Sequence, residues 1–185
     1  MAQSQRRQPR QARAVATQAV IFEATAQILE GQGEAALTTN AIAERAGISI
    51  GTLYQYHADK ASILVAMALA ENAKVREQLI AAAGPEGVSS ARLAIRTQIA
   101  IMADRPATRR ACLKAILEAE LIPAEEKTTN PLIERHPGER LDRFVISRAV
   151  IGVIRAAVLE ASPILTDPGL EDALVKLVEC YSTGD

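Results

Sequence analysis

The side chains best suited to chemistry in this chain gather between Thr38 and Lys60. Thr38, Thr39, Asn40, Ser49, Thr52, Tyr54, Gln55, Tyr56 and Lys60 supply hydroxyls, amides and an ammonium, with Ile50 and Gly51 set among them. This is a set for recognition by hydrogen bonding. A glutamine reads an adenine edge and an isoleucine touches a thymine methyl, while lysine, tyrosine and threonine hold backbone phosphates. The same polar residues would equally solvate a surface helix, and the spacing of caps and turns around them decides between the two readings.

The elements that must position them are short. Thr38 and Thr39 are placed to cap a helix from Asn40 to Ala46, with Ile42 and Ala46 one turn apart on its inner face. Gly47 ends it. Ser49 caps the next helix, with Ile48 before the cap and Leu53 at the fourth helical position, the arrangement of a hydrophobic staple. Two short helices joined by a three-residue turn are the sequence form of a helix-turn-helix. On the second of them Leu53 and His57 face inward, which leaves Ser49, Thr52, Gln55 and Tyr56 outward or on the flanks. Gly51 weakens the helix but lets another backbone approach closely. Asp59 caps a further helix with Lys60 in its first turn, where a cation opposes the helix dipole by about 0.3 to 1 kcal/mol. A phosphate would offset that cost.

The run Thr38-Thr39-Asn-Ala-Ile-Ala-Glu-Arg-Ala-Gly47-Ile-Ser-Ile-Gly-Thr-Leu-Tyr-Gln-Tyr-His57-Ala-Asp-Lys60 resembles the DNA-binding motif of the TetR family. Ile-Ala-Glu-Arg-Ala-Gly, Gly-Thr-Leu-Tyr and Asp-Lys occur in the family's order and spacing. The resemblance implies a transcriptional regulator, usually a repressor, that binds a pseudo-palindromic double-stranded DNA operator as a homodimer. It also implies release by a small-molecule effector held in the C-terminal half, and assigns Lys60 and the neighbouring hydroxyls to phosphates. Two positions depart from the pattern. His57 stands where the family most often has Phe, so a partly buried imidazole needing partners is expected, or one that reaches a phosphate. Ile50 replaces a residue that is often basic or small, which turns readout toward methyl contact. A helix-turn-helix dimer that needs no ligand, or a helical protein-interaction module, is the alternative reading.

The whole-chain totals agree with an all-α fold. The 185 residues are 49% hydrophobic and 3% aromatic, and apolar positions recur at helical spacing. We expect an N-terminal three-helix helix-turn-helix domain followed by a C-terminal helical ligand-binding and dimerisation domain, with about nine helices. The divisions are a disordered basic arm over 1–12, the DNA-binding domain over 13–60, a connecting helix over 61–84 and the second domain over 85–185. The first helix starts near Ala14, faces inward through Val15, Ala19, Phe22, Ala26 and Leu29, and stops at Gly31 and Gly33. Later helices are expected at Ser89 to Ala103, Pro106 to Leu121, Ala124 to Arg135, Glu139 to Ser162 and Gly169 to Tyr181.

Net charge is −1. The positive end is nonetheless clear: Arg6, Arg7, Arg10 and Arg13 all precede the first acid, Glu23. Cys112 and Cys180 lie in no metal or disulfide spacing, no nucleophile or phosphate-loop motif occurs, and no apolar run is long enough to span a membrane. A cytoplasmic protein that is not an enzyme and has no metal or cofactor is expected. In the second half the candidate pocket residues are Ile99, Met102, Leu113, Leu117, Phe144 and Arg148. The resemblance places dimerisation on the last two helices, where Ala149, Gly152, Ala156 and Leu159 permit close contact and Leu170, Leu174, Leu177 and Val178 form a matching stripe. Arg148 and Arg155 are expected to pair with Glu171, Asp172 or Glu179 across that dimer, or to meet an anionic ligand.

Overall fold

A computed structural model describes residues 7–82, 91–119 and 140–182. Among the described residues there are eight α-helices and no strand. They are α1 (Arg7–Gln32), α2 (Thr39–Ala46), α3 (Ile50–Tyr56), α4 (Lys60–Ala82), α5 (Ala91–Ala103), α6 (Pro106–Glu118), α7 (Arg140–Leu159) and α8 (Gly169–Ser182). Short 3-10 turns occupy Glu34–Ala36 and Pro163–Thr166. The chain divides into two compact units, Met1–Met67 and Ala68–Asp185, with the division inside α4. The helix expected at 124–135 lies outside the described residues.

In the first unit α1 begins at Arg7, not near Ala14, so residues 7–12 are helical rather than part of an arm. Gln and Arg are good helix formers, and Pro9 falls in the first turn, where its missing N–H leaves no hydrogen bond unmade. The inward face also shifts. Val15 is 61% exposed and Ala19 is exposed, whereas Ile21, Ala24, Thr25, Ala26, Ile28 and Leu29 are buried. The buried Thr25 hydroxyl is satisfied by donating to the Ile21 carbonyl at 2.8 Å. Gly33, at φ 81°, ends the helix and returns its N–H to the Ile28 and Leu29 carbonyls. Leu37, Ile42, Ala43, Leu53, Ile63, Leu64 and Met67 complete this core. Ala46, expected inside, is only half-buried, and Ala43 takes the inner position with Ile42.

The second unit has its own core. Ile95 and Met102 of α5 meet Ile146, Val150, Ile154, Ala157 and Val158 of α7, Leu165, and Leu170, Leu174, Val175 and Val178 of α8. Helix α6 starts with Pro106 at its N-terminus and buries Thr108, Ala111, Cys112, Ala115 and Ile116. Arg110 fixes its place by donating from Nε to the Val158 carbonyl at 3.0 Å. Arg92 and Arg96 of α5 clasp α8 through Glu171, with Arg92 also on Asp172. Helix α7 ends at Leu159 rather than Ser162, because Ala161 turns left-handed at φ 53° and Ser162 caps the following 3-10 turn.

Of the stripe expected on α8, three residues lie in the core of the chain itself. Leu170, Leu174 and Val178 are 7%, 3% and 6% exposed and are spent on the chain's own core, leaving Leu177 outward at 39%. Of the acids expected at a dimer rim, Glu171 and Asp172 pair within the chain with Arg92 and Arg96. Among the described residues no helix is long and apolar enough to cross a membrane, and no cluster of His, Cys, Asp and Glu is arranged to hold a metal.

Candidate nucleic-acid interface

Local hydrogen bonds build the two short helices. The Thr38 hydroxyl accepts the Ala41 N–H at 3.1 Å and caps α2. Gly47, left-handed at φ 66°, ends it, and the Ile48 N–H closes the turn on the Ala43 carbonyl at 3.0 Å. Ser49 then caps α3 by accepting the Thr52 N–H at 3.0 Å, and its hydroxyl lies 2.8 Å from the Thr52 hydroxyl. Leu53, fully buried, anchors α3, and Ile48 ahead of the cap is half-buried.

With Leu53 inward, the opposite face of α3 is open. Ser49, Ile50, Gly51, Tyr54, Gln55 and Tyr56 are exposed and Thr52 is half-buried. Ile50 and Tyr54 are large side chains of this face, at 37% and 54% exposure. A Cβ added at Gly51 would meet only the Ser49 hydroxyl, at 3.9 Å, so packing within the chain does not require glycine there. Thr38 and Asn40 are exposed and Thr39 half-buried beside them. One link was not foreseen from the sequence: the Thr39 and Tyr54 hydroxyls lie 3.3 Å apart, tying α2 to α3. Arg45, exposed in the last turn of α2, is a further cation on this unit that spacing alone did not single out.

Helix α4 opens on a reciprocal cap. Asp59 accepts the Ser62 N–H at 2.7 Å, and the Asp59 N–H donates to the Ser62 hydroxyl at 3.2 Å. Lys60 stands exposed as the first residue, and the first turn of α4 contains no acid. His57 is in the core, not at the surface. It is 5% exposed, its ring lies 6.0 Å from that of Phe22, and burial lowers its pKa. Its Nε2 has no hydrogen-bond partner among the described residues.

The six candidate pocket residues of the second unit are divided between its core and its surface. Met102 is in the core, Ile99 and Leu113 pack against it, and Leu117 and Phe144 are 60% and 53% exposed. Arg148 stacks on Phe144, 5.3 Å from the ring centroid. The reason is geometric: helical period identifies an apolar face but not which neighbour covers it. A cavity of about 390 Å³ opens elsewhere, lined by Glu71, Lys74, Val75 and Gln78 of α4, Ala100 and Ile101 of α5, Asp104, and Arg109 of α6. Arg109 is ion-paired through Nη1 with Glu71, and its side chain is 13% exposed. Burial lowers its pKa, and its Nε lacks a partner among the described residues. Beside the cavity Arg105 holds a left-handed φ of 53° at the start of α6. Burial raises the Cys112 thiol to about 11, so it stays protonated.

A helix-turn-helix with an open polar face, on a chain that is all-helical among the described residues, is the arrangement of helix-turn-helix DNA-binding proteins. Residues 21–67, within the first unit, match the family model described as bacterial regulatory proteins, tetR family. A TetR-family transcriptional regulator from Streptomyces coelicolor is similar in fold at TM-score 0.61 and 19% identity, over 89% of this chain and 96% of that one. A TetR-family regulator from Marinobacter aquaeolei VT8 gives 0.60 and 20%, over 93% and 96%. The multidrug binding protein EbrR, in complex with ethidium, gives 0.64 and 16%, over 89% and 97%. No curated protein matches the sequence. The first unit thus resembles the tetR family's model, and the fold is similar to that of TetR-family regulators over about nine-tenths of the chain.

Proposed function

We infer that the protein is a ligand-responsive transcriptional repressor that binds a pseudo-palindromic operator as a homodimer. The observation that carries this reading is the exposed face of α3, where Ile50, Gly51, Tyr54, Gln55 and Tyr56 point away from a core anchored by Leu53. Gln55 and Ile50 read base edges in the major groove, with Ser49 and Thr52 at the flank. Thr38, Thr39, Asn40, Tyr54, Tyr56 and Lys60 take phosphates, and Lys60 at a helix N-terminus places an ammonium beside free backbone N–H groups.

Dimerisation uses the faces of α7 and α8 that the core leaves open. Leu141, Arg148, Gly152, Ala156 and Leu159 recur along one side of α7, and Gly152 and Ala156 are exposed. Val153, Leu177 and Tyr181 remain 42%, 39% and 42% exposed. Small residues between larger ones allow two helices to approach closely, as a symmetric interface requires. Such a dimer sets two α3 helices in successive major grooves about 34 Å apart.

The second unit holds the effector, a role supported by its cavity and by the likeness to EbrR, which is described as a multidrug binding protein. A coupling of about 1 to 3 kcal/mol between effector and operator is enough for release. Binding of the chain to duplex DNA across a salt series tests the central claim. Affinity should fall steeply as salt rises; affinity indifferent to salt would overturn the DNA reading.

A further inference from the structure

We propose that the cavity beside Arg109 receives a small organic carboxylate, held by the Arg109 guanidinium in competition with Glu71 and backed by Lys74. This rests on the reading of the second unit as the effector-binding half, and names the chemistry of its effector. The wall of the cavity carries a desolvated donor without an acceptor: Arg109 gives Nη1 to Glu71, while its Nε has no partner among the described residues. A guanidinium presents its N–H groups as a planar fork that fits the two oxygens of a carboxylate. Lys74, exposed on the same cavity, adds a second cation within its lining.

The acids of the lining do not reverse this preference. Glu71 is already engaged by Arg109, and Asp104 is exposed, where water solvates its charge. A cationic ligand would meet Arg109 with no desolvated carboxylate left to receive it. Val75 and Ile101 are half-buried in the lining and supply an apolar wall. At about 390 Å³ the space has the size of a small-molecule site. The ligand class is therefore a compact amphiphile with one carboxylate and an apolar body. Glu71 belongs to α4, the continuous helix that begins at Lys60, so a carboxylate that takes over Arg109 releases a restraint on that helix.

The test uses the full chain without DNA and three probes of one length: hexanoate, hexanamide and hexylammonium. Hexanoate should raise the melting temperature in proportion to the logarithm of its concentration and give a calorimetric isotherm, with the amide and the amine at least about tenfold weaker. Arg109→Gln should abolish hexanoate binding, and Glu71→Gln, which frees the guanidinium, should tighten it severalfold. The double variant Glu71→Gln with Arg109→Gln leaves no unpaired charge, so it keeps the wild-type melting temperature and lacks the site. Equal binding of all three probes, binding of none, or hexanoate binding retained by the double variant would overturn the proposal. DNA affinity is measured with no probe present, so either reading can fail while the other stands.

Discussion

The hydroxyls of Thr39 and Tyr54 lie 3.3 Å apart, so the first residue of α2 is joined to the middle of α3 by side chains alone. The contact orients an exposed tyrosine that would otherwise sweep solvent. Tyr54→Phe removes the hydroxyl and keeps the ring. The loss of stability should be small, about 0.5 kcal/mol for one exposed hydrogen bond, whereas the phosphate contact proposed for Tyr54 predicts that affinity falls alike for all duplex sequences. Urea midpoints and binding to two unrelated duplexes check this; a change confined to one sequence would place Tyr54 among the base readers.

Gly51 gives a separation of stability from function. Because a Cβ there meets only the Ser49 hydroxyl at 3.9 Å, Gly51→Ala should stabilise the free protein by about 0.5 to 1 kcal/mol. The added methyl stands on the exposed face of α3 and should weaken operator binding. Stabilisation together with unchanged affinity would mean that no backbone approaches α3 at this point.

Lys60 and Gln55 are assigned different work, and substitution separates them. Lys60→Ala should lower the salt slope by about one and weaken every sequence equally. The same variant should be more stable when free, by about 0.3 to 1 kcal/mol, since a cation leaves the start of α4. Gln55→Ala should cost about 1 to 3 kcal/mol on the preferred site and relax sequence choice. Identical behaviour of the two variants would overturn the division of roles.

His57 predicts a pH dependence with a definite sign. Burial lowers its pKa from 6.5, so the unfolded chain takes up a proton before the folded one as pH falls. The unfolded state then binds more protons, and stability rises with pH in that window. The contribution is full above pH 6.5 and is lost as pH falls from there toward the lowered value. His57→Phe should abolish this dependence and stabilise the protein by about 1 kcal/mol, because it removes a buried nitrogen without a partner beside Phe22. Urea melts from about pH 5 to pH 8 follow both effects.

A second acid limb should arise at Glu171. Hydrogen bonds from Arg96 and Arg92 hold its carboxyl down at about 2, below the ordinary 4.5. Its stabilisation is present above pH 4.5 and is lost as pH falls toward 2. Both arginines are solvent-facing, so added salt should shrink the effect. Glu171→Gln should flatten stability below pH 4.5 while leaving the limb due to His57 unchanged.

What the sequence determined by itself was the local architecture of the first unit. The caps at Thr38, Ser49 and Asp59 and the left-handed Gly47 bond to groups within five residues, so each is written in a short window. The same range explains why an inward Leu53 implied an open face on α3. The tertiary structure decided everything that depends on distant partners. It assigned Leu170, Leu174 and Val178 to the chain's own core, because an apolar stripe does not say which helix covers it. It turned Val15 outward, joined Arg92 to Glu171 across 79 positions, and brought Glu71 to Arg109 at the edge of a cavity. Charge pairs and cavities form where helices from remote parts of the chain meet, and helical period is silent about that meeting.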